Sequence, residues 1–221
     1  MPKAAPRRLG RPPGSSSAES RARILDAARA TFADLGWEVT TNNIVAEKVG
    51  MTGAALYHYF DSKLEMYRAV HDDAQEQVRT EFGEAAASSD SFVGQFEAIL
   101  ERAYQMNSRD PSLARFLASS RVDMSRYPEL KKAMRRWAGN EIVGGLVQTG
   151  IATGEISPRR KKEASALIQA ILVGLNDAVS DDLTEHRAAI DGVRGLLEGS
   201  LLAAPSTNGK KRAAPRKQSS G

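Results

Sequence analysis

The chain has 221 residues, 41% of them hydrophobic and 26% charged, enough to bury a sizeable core in one large domain or in a small one joined to a medium one. It contains no Cys and only three scattered His (His58, His71, His186), which excludes disulfides and thiolate metal sites and argues against a His-based metal site; no cofactor is expected. The longest uncharged runs, 142–154 and 164–176, fall well short of the roughly 20 residues that a membrane-spanning helix needs, so no membrane association is expected and a cytoplasmic protein is.

The net charge of +4 is unevenly spread. Residues 1–17 carry Lys3, Arg7, Arg8 and Arg11 without an acid, and residues 205–221 carry Lys210, Lys211, Arg212, Arg216 and Lys217, again without one. These ends take nine of the 31 basic residues and leave 18–204 with 22 against 27 acids. Both ends are rich in Pro, Gly, Ala and Ser, so they are expected to be disordered basic arms. Such arms serve either as solvated linkers or as phosphate-neutralising contacts to nucleic acid. Arg11, on the thin Leu9-Gly10-Arg11-Pro12-Pro13-Gly14 backbone with Arg8 just ahead of it, suits insertion into a narrow minor groove.

Between the arms the pattern is helical throughout, with Ala, Leu, Arg and Glu at helical spacing and no sustained alternation, and it predicts an all-α fold. A capping box, Ser16 with Glu19, opens a first helix whose apolar face is Ile24, Leu25, Ala28, Phe32 and Leu35 and which Gly36 ends. A second box, Ser62 with Glu65, opens a long helix bearing Leu64, Tyr67, Val70, Ala74, Val78 and Phe82. A helix follows from Phe92, and two more start at Asp110-Pro111 and Tyr127-Pro128-Glu129, the last running to about Gly150–Gly154. Helices at about 160–180 and 185–203 close the chain. The first carries an apolar stripe beside a row of small residues, Ala166, Ala170, Gly174 and Ala178; the second carries Gly192, Gly195 and Gly199. Glycines in a helix interior are unfavourable by about 1 kcal/mol each, and close helix approach in a symmetric four-helix interface would offset that. The interface candidates are Leu167, Ala170, Ile171, Gly174, Leu175, Val193, Leu196 and Leu197. The plainer alternative is a weakened terminal helix.

Residues 37–70 carry the function. A short helix from Thr40 or Thr41, a turn at Gly50 and a second short helix that Thr52 caps, Gly53 to His58, make a helix-turn-helix packed on the first helix. Phe32-Ala33-Asp34-Leu35-Gly36-Trp37, Thr40-Thr41, Gly50, Leu56-Tyr57-His58-Tyr59-Phe60 and Ser62-Lys63 resemble, in fixed order, the DNA-binding domain of the TetR/AcrR family of transcriptional regulators. The resemblance covers about fifty residues. It implies a helix-turn-helix domain over 18–66, a helical ligand-binding and dimerisation domain over 67–204, a homodimer on an inverted-repeat operator in double-stranded DNA, and a small-molecule ligand, in a bacterial cell.

By position in that motif the candidate DNA contacts are Thr41, Asn43, Thr52, Gly53, Ala54, Tyr57, His58 and Lys63, joined by Arg8 and Arg11 of the arm. Leu56 and Phe60 are expected in the core, and Tyr59 in either place. The Gly53-Ala54-Ala55 stretch departs from the family pattern and offers methyl groups rather than hydrogen bonds to base edges. Residues 18–66 hold five bases against seven acids, so the arm is expected to supply the attraction to DNA. Candidate ligand contacts are Phe92, Phe96, Tyr104, Met106, Phe116, Met124 and Trp137, unless they are ordinary core, with Arg121, Asp123 and Asn140 as polar partners. Sparse charge among them points to a mostly apolar ligand. Motifs of the common enzyme classes (GxSxG, GxGxxG, P-loop, HExxH) are missing, so an enzyme is not expected. The rival reading is a ligand-insensitive protein that compacts DNA through its basic ends.

Overall fold

The computed structural model describes residues 17–134, 139–178 and 182–202, all helix and connecting turn, with no strand among them. Ten α-helices follow in order: α1 Ser17–Val39, α2 Asn42–Lys48, α3 Gly53–Tyr57, α4 Lys63–Ala86, α5 Phe92–Arg109, α6 Pro111–Arg126, α7 Pro128–Ala133, α8 Gly139–Ala152, α9 Lys161–Ala178 and α10 Leu183–Leu197. Among these helices none is long and apolar enough to cross a membrane. The two basic ends, Ser16 and Trp137 lie outside the described residues.

The caps explain most boundaries. Ser62 accepts from the Glu65 amide while Glu65 Oε2 accepts from the Asp61 amide, so two otherwise orphaned N–H groups at the start of α4 are satisfied. Ser91, Asp110 and Asp182 cap α5, α6 and α10 in the same manner. The helical ladder of α1 breaks at Gly36, as its sequence predicts, although one further turn reaches Val39.

Two cores form. The first joins Ile24, Ala28 and Phe32 of α1 to Val45, Leu56 and Phe60, and continues without a break into Tyr67, Val70 and Ala74 of α4 and Phe116 of α6. The second packs Phe96, Ile99 and Leu100 of α5 against Val143, Leu146 and Val147 of α8, Ile168 and Leu172 of α9 and Ile190 of α10. Hence the helix-turn-helix has no core of its own, and it shares one with the start of α4 and with α6.

Four expectations are corrected. The helix predicted from Pro128 to about Gly150 is two helices, because Met134 is extended and ends α7. Leu35 is exposed, since the apolar face of α1 is completed by the buried Arg29 and Thr31 instead. Leu175 faces inward, one helical row with Ile168 and Leu172. The last helix stops at Leu197, and the chain folds back at Gly199 so that Ser200 and Leu201 amides meet the Gly195 carbonyl; the Gly195 approach is to its own chain.

Candidate nucleic-acid interface and regulatory cavity

Thr41 caps α2 by accepting from the Ile44 amide at 3.3 Å, and Thr52 caps α3 by accepting from Ala55 at 3.2 Å. Each hydroxyl keeps its proton and points outward, so each remains a donor to a phosphate oxygen. Gly50 makes the turn between them at φ +69°, a conformation in which any side chain is strained. Gly53 matters for space rather than for backbone angle. A Cβ there would meet Asn43 Oδ1, the end of an exposed side chain, so the bare glycine leaves the Asn43 amide room to lie against the start of α3. Leu56 and Phe60 are buried beneath α3, and Tyr59 is half-buried.

The helix-turn-helix therefore presents Thr41, Asn43, Thr52, Ala54, Tyr57 and His58 together on its exposed side, with Tyr57 53% accessible. Lys63 does not join them freely. Its Nζ donates to the Trp37 carbonyl at 2.7 Å and lies 4.3 Å from the Trp37 ring centroid, so the ammonium holds the end of α1; burial pushes its pKa below the ordinary lysine value. Exposed Arg21, Arg23 and Lys48, outside the predicted contact set, supply the cations of this domain.

A small cavity lies behind this head. About 70 Å³ of free volume is enclosed by α4 (Val78, Phe82), α5 (Ala103, Met106, Asn107), α6 (Leu113, Ala114, Leu117, Arg121), α9 (Leu172, Leu175, Asn176) and His186 of α10. Of the predicted ligand contacts among the described residues only Met106 is on its wall. Phe116 is drawn into the first core by Phe32 and Tyr67, and Met124 packs against that core. Phe92 and Phe96 stack on each other at 5.8 Å, away from the cavity. Tyr104 lies beneath the Arg187 guanidinium, 3.8 Å from its ring centroid. Arg121 does line the cavity, paired to Asp177. Asp123 instead accepts from Tyr67 Oη at 3.1 Å, and Asn140 is exposed.

One helix connects head and cavity. While Leu113, Ala114, Leu117 and Arg121 of α6 face the cavity, its opposite side grips α1 and α4. Arg29 of α1 is buried and donates through Nη2 to Asp110 Oδ2 at 2.6 Å and through Nε to Ser112 Oγ at 3.3 Å; Nη2 also meets Asp26, and Nη1 lies 3.6 Å from Asp73. Further along, Arg115 pairs with Asp34 at 3.5 Å, Phe116 meets Phe32, and Tyr67 bonds Asp123. Just beyond, Tyr127 donates to Glu38 at 2.9 Å. Burial pushes the Tyr67 phenol and the Asp123 carboxyl above their ordinary values, the neighbouring Asp123 charge adding to the first. Asp110 belongs to both sets, as a wall of the cavity and as the anchor of Arg29. Sequence periodicity marks neither residue, because a buried arginine on an apolar helix face is visible only once its carboxylates arrive from helices about 45 and 80 residues away.

On the far side, Leu167, Ala170 and Gly174 of α9 and Leu196 and Leu197 of α10 are exposed, Leu167 at 63% and Leu196 at 56%. Gly174 and Gly192 have open space where a Cβ would stand. Ile171 and Val193 are half-buried against the second core.

Residues 24–70 match the family of bacterial regulatory proteins named for tetR. Over 188 residues the chain is 23% identical to the HTH-type transcriptional regulator UidR of Escherichia coli strain K12, covering 83% of this chain and 94% of that one. It is 26% identical over 152 residues to the HTH-type transcriptional repressor KstR2 of Mycolicibacterium smegmatis, covering 65% and 71%. Among solved structures, Salmonella enterica GusR superposes with a TM-score of 0.63 at 23% identity, covering 85% of this chain and 98% of that one. Bacillus subtilis FadR in complex with stearoyl-CoA superposes at 0.64 with 16% identity, covering 78% and 96%.

Proposed function

Because the chain belongs to the TetR family of DNA-binding transcriptional regulators, we propose that it is a homodimeric repressor that a small, mostly apolar molecule releases from an inverted-repeat operator. The observation that carries this reading is α6, with cavity on one face and the helix-turn-helix stapled to the other. A ligand releases DNA only by favouring an arrangement in which the two heads no longer match their half-sites, set about one helical turn apart. As found, the cavity is smaller than the roughly 300–1,000 Å³ typical of ligand pockets. An incoming ligand must therefore push its walls outward, and a displaced α6 carries Arg29, Phe32 and Tyr67 with it.

Dimerisation is assigned to the exposed strip of Leu167, Ala170, Gly174, Leu196 and Leu197, where small residues permit close approach of a second copy. On the DNA side Thr41, Thr52, Tyr57 and His58 are assigned to phosphates and Asn43 to a base edge or a phosphate, with Ala54 against thymine methyls. Being chemically bland, the recognition helix leaves part of the specificity to DNA shape and part of the affinity to the Arg8 and Arg11 arm. Selection of duplexes from a random pool at roughly physiological salt tests the reading. Enrichment of one inverted repeat is expected; retained binding with no enriched motif would instead establish the compaction role of the basic ends.

A further inference from the structure

The cavity wall contains three ionisable groups, and two of them already have counter-ions. Asp110 is held by Arg29 at 2.6 Å, and Arg121 by Asp177. A charged ligand would bring a charge with nothing left to neutralise it, at a desolvation penalty that apolar walls do not repay.

His186 is the third, and it is only 3% exposed. Its Nδ1 lies 3.2 Å from Asn107 Nδ2, and with the amide in this orientation Nδ1 accepts, which assigns the ring proton to Nε2. Burial, reinforced by the Arg187 charge next door, holds its pKa below the ordinary histidine value and keeps the ring neutral. Nε2 has no hydrogen-bond partner within the protein. Of the other polar lining groups, the Asn176 amide is engaged with the Ala114 carbonyl at 3.2 Å. A buried donor left unsatisfied is destabilising, and an acceptor carried in by a ligand recovers that loss.

Resting on the reading of this cavity as the effector site, we infer that the effector is an uncharged, mostly apolar molecule with one accepting oxygen, a ketone, ester or hydroxyl, that takes the hydrogen bond from His186 Nε2. The free volume holds about five waters, enough for the head of such a molecule and short of its whole body. Met106, unbranched and adaptable, is the wall residue best suited to yield.

The test uses full-length protein labelled with nitrogen-15 and, at its methyl groups, carbon-13, and four six-carbon probes: 2-hexanone, n-hexane, hexanoate and hexylammonium. With three histidines in the chain, His186 is assigned by substitution. Before any probe is added, its ring should be the neutral Nε2–H tautomer at pH 7; an Nδ1–H tautomer or an imidazolium would overturn the inference, and this reading does not depend on any variant folding. 2-Hexanone should then bind about tenfold more tightly than the other three and shift the Nε2–H proton downfield. That preference should vanish in His186→Phe while n-hexane binds as before. A ketone preference that persists in His186→Phe, or equal binding of ketone and hydrocarbon, sinks the inference and leaves the effector cavity standing. If none of the four moves a Met106 or Ala103 methyl resonance, the cavity itself is not an effector site and the parent reading fails.

Discussion

The helix-turn-helix and the cavity behind it are built on opposite plans. The head is local: its six exposed candidate contacts come from eighteen consecutive residues, positioned by two threonine caps and one glycine turn. The cavity draws its wall from five helices spread over more than a hundred residues. Local caps set the spacing of the contact residues within the head, while the core it shares with α4 and α6 ties its placement to them; a wall shared by many elements moves when any of them is pushed. The α6 helix belongs to both plans.

The strongest way to break the comparison is to remove the frame that holds two heads at a fixed separation. Leu167→Glu places a charge in the exposed apolar strip, and we expect a monomer by sedimentation with operator affinity reduced a hundredfold or more. A stable dimer with full affinity would mean the strip lies elsewhere.

Next in size is the link between head and sensor. Arg29→Met removes the buried guanidinium and leaves Asp26, Asp73 and Asp110 near one another; because these carboxylates are partly solvated, the expected loss is about 1 kcal/mol, readable in chemical denaturation. Head and sensor should then uncouple, so that effector no longer displaces DNA although it still binds. Retained release in a folded Arg29→Met protein would place the coupling on the Tyr67–Asp123 side of α6.

How much of this the sequence discloses follows the same division. Periodicity and caps locate the first core, the turn at Gly50 and the exposed head, because those signals lie within a few residues of each other. They misplace the ligand contacts, since a phenylalanine at helical spacing reads alike whether it meets a cavity or, as Phe116 does, the rings of Phe32 and Tyr67. Leu175 misleads similarly: its stripe is apolar on both sides, and only the packing of α9 shows which side turns inward. Nothing local marks the break at Met134, which no Gly or Pro follows closely. His186 is the least legible, a single polar residue whose meaning depends on Asn107, 79 positions earlier.

Smaller changes sharpen the account of the head. Deleting residues 1–14 takes away Lys3, Arg7, Arg8 and Arg11, and we expect roughly tenfold weaker operator binding near physiological salt, with the salt slope falling by about 0.9 for each phosphate no longer neutralised. An unchanged slope would relieve the arm of any part in binding. Tyr57→Phe, at an exposed position, should weaken the complex about fivefold by removing one phosphate hydrogen bond, with no change in thermal stability. A matching loss of stability would show that the hydroxyl supports the fold instead.

The central claim is that filling the cavity displaces the head from DNA, and it can be tested without knowing the natural effector. Ala103→Leu adds three carbons to the α5 wall, opposite α6, and so stands in for a bound ligand. Titrated by fluorescence anisotropy against the selected operator, the variant should bind about tenfold more weakly than the parent, the size of a typical coupling between sites, while remaining a folded dimer. Full operator affinity in a protein whose cavity no longer admits 2-hexanone would contradict the account.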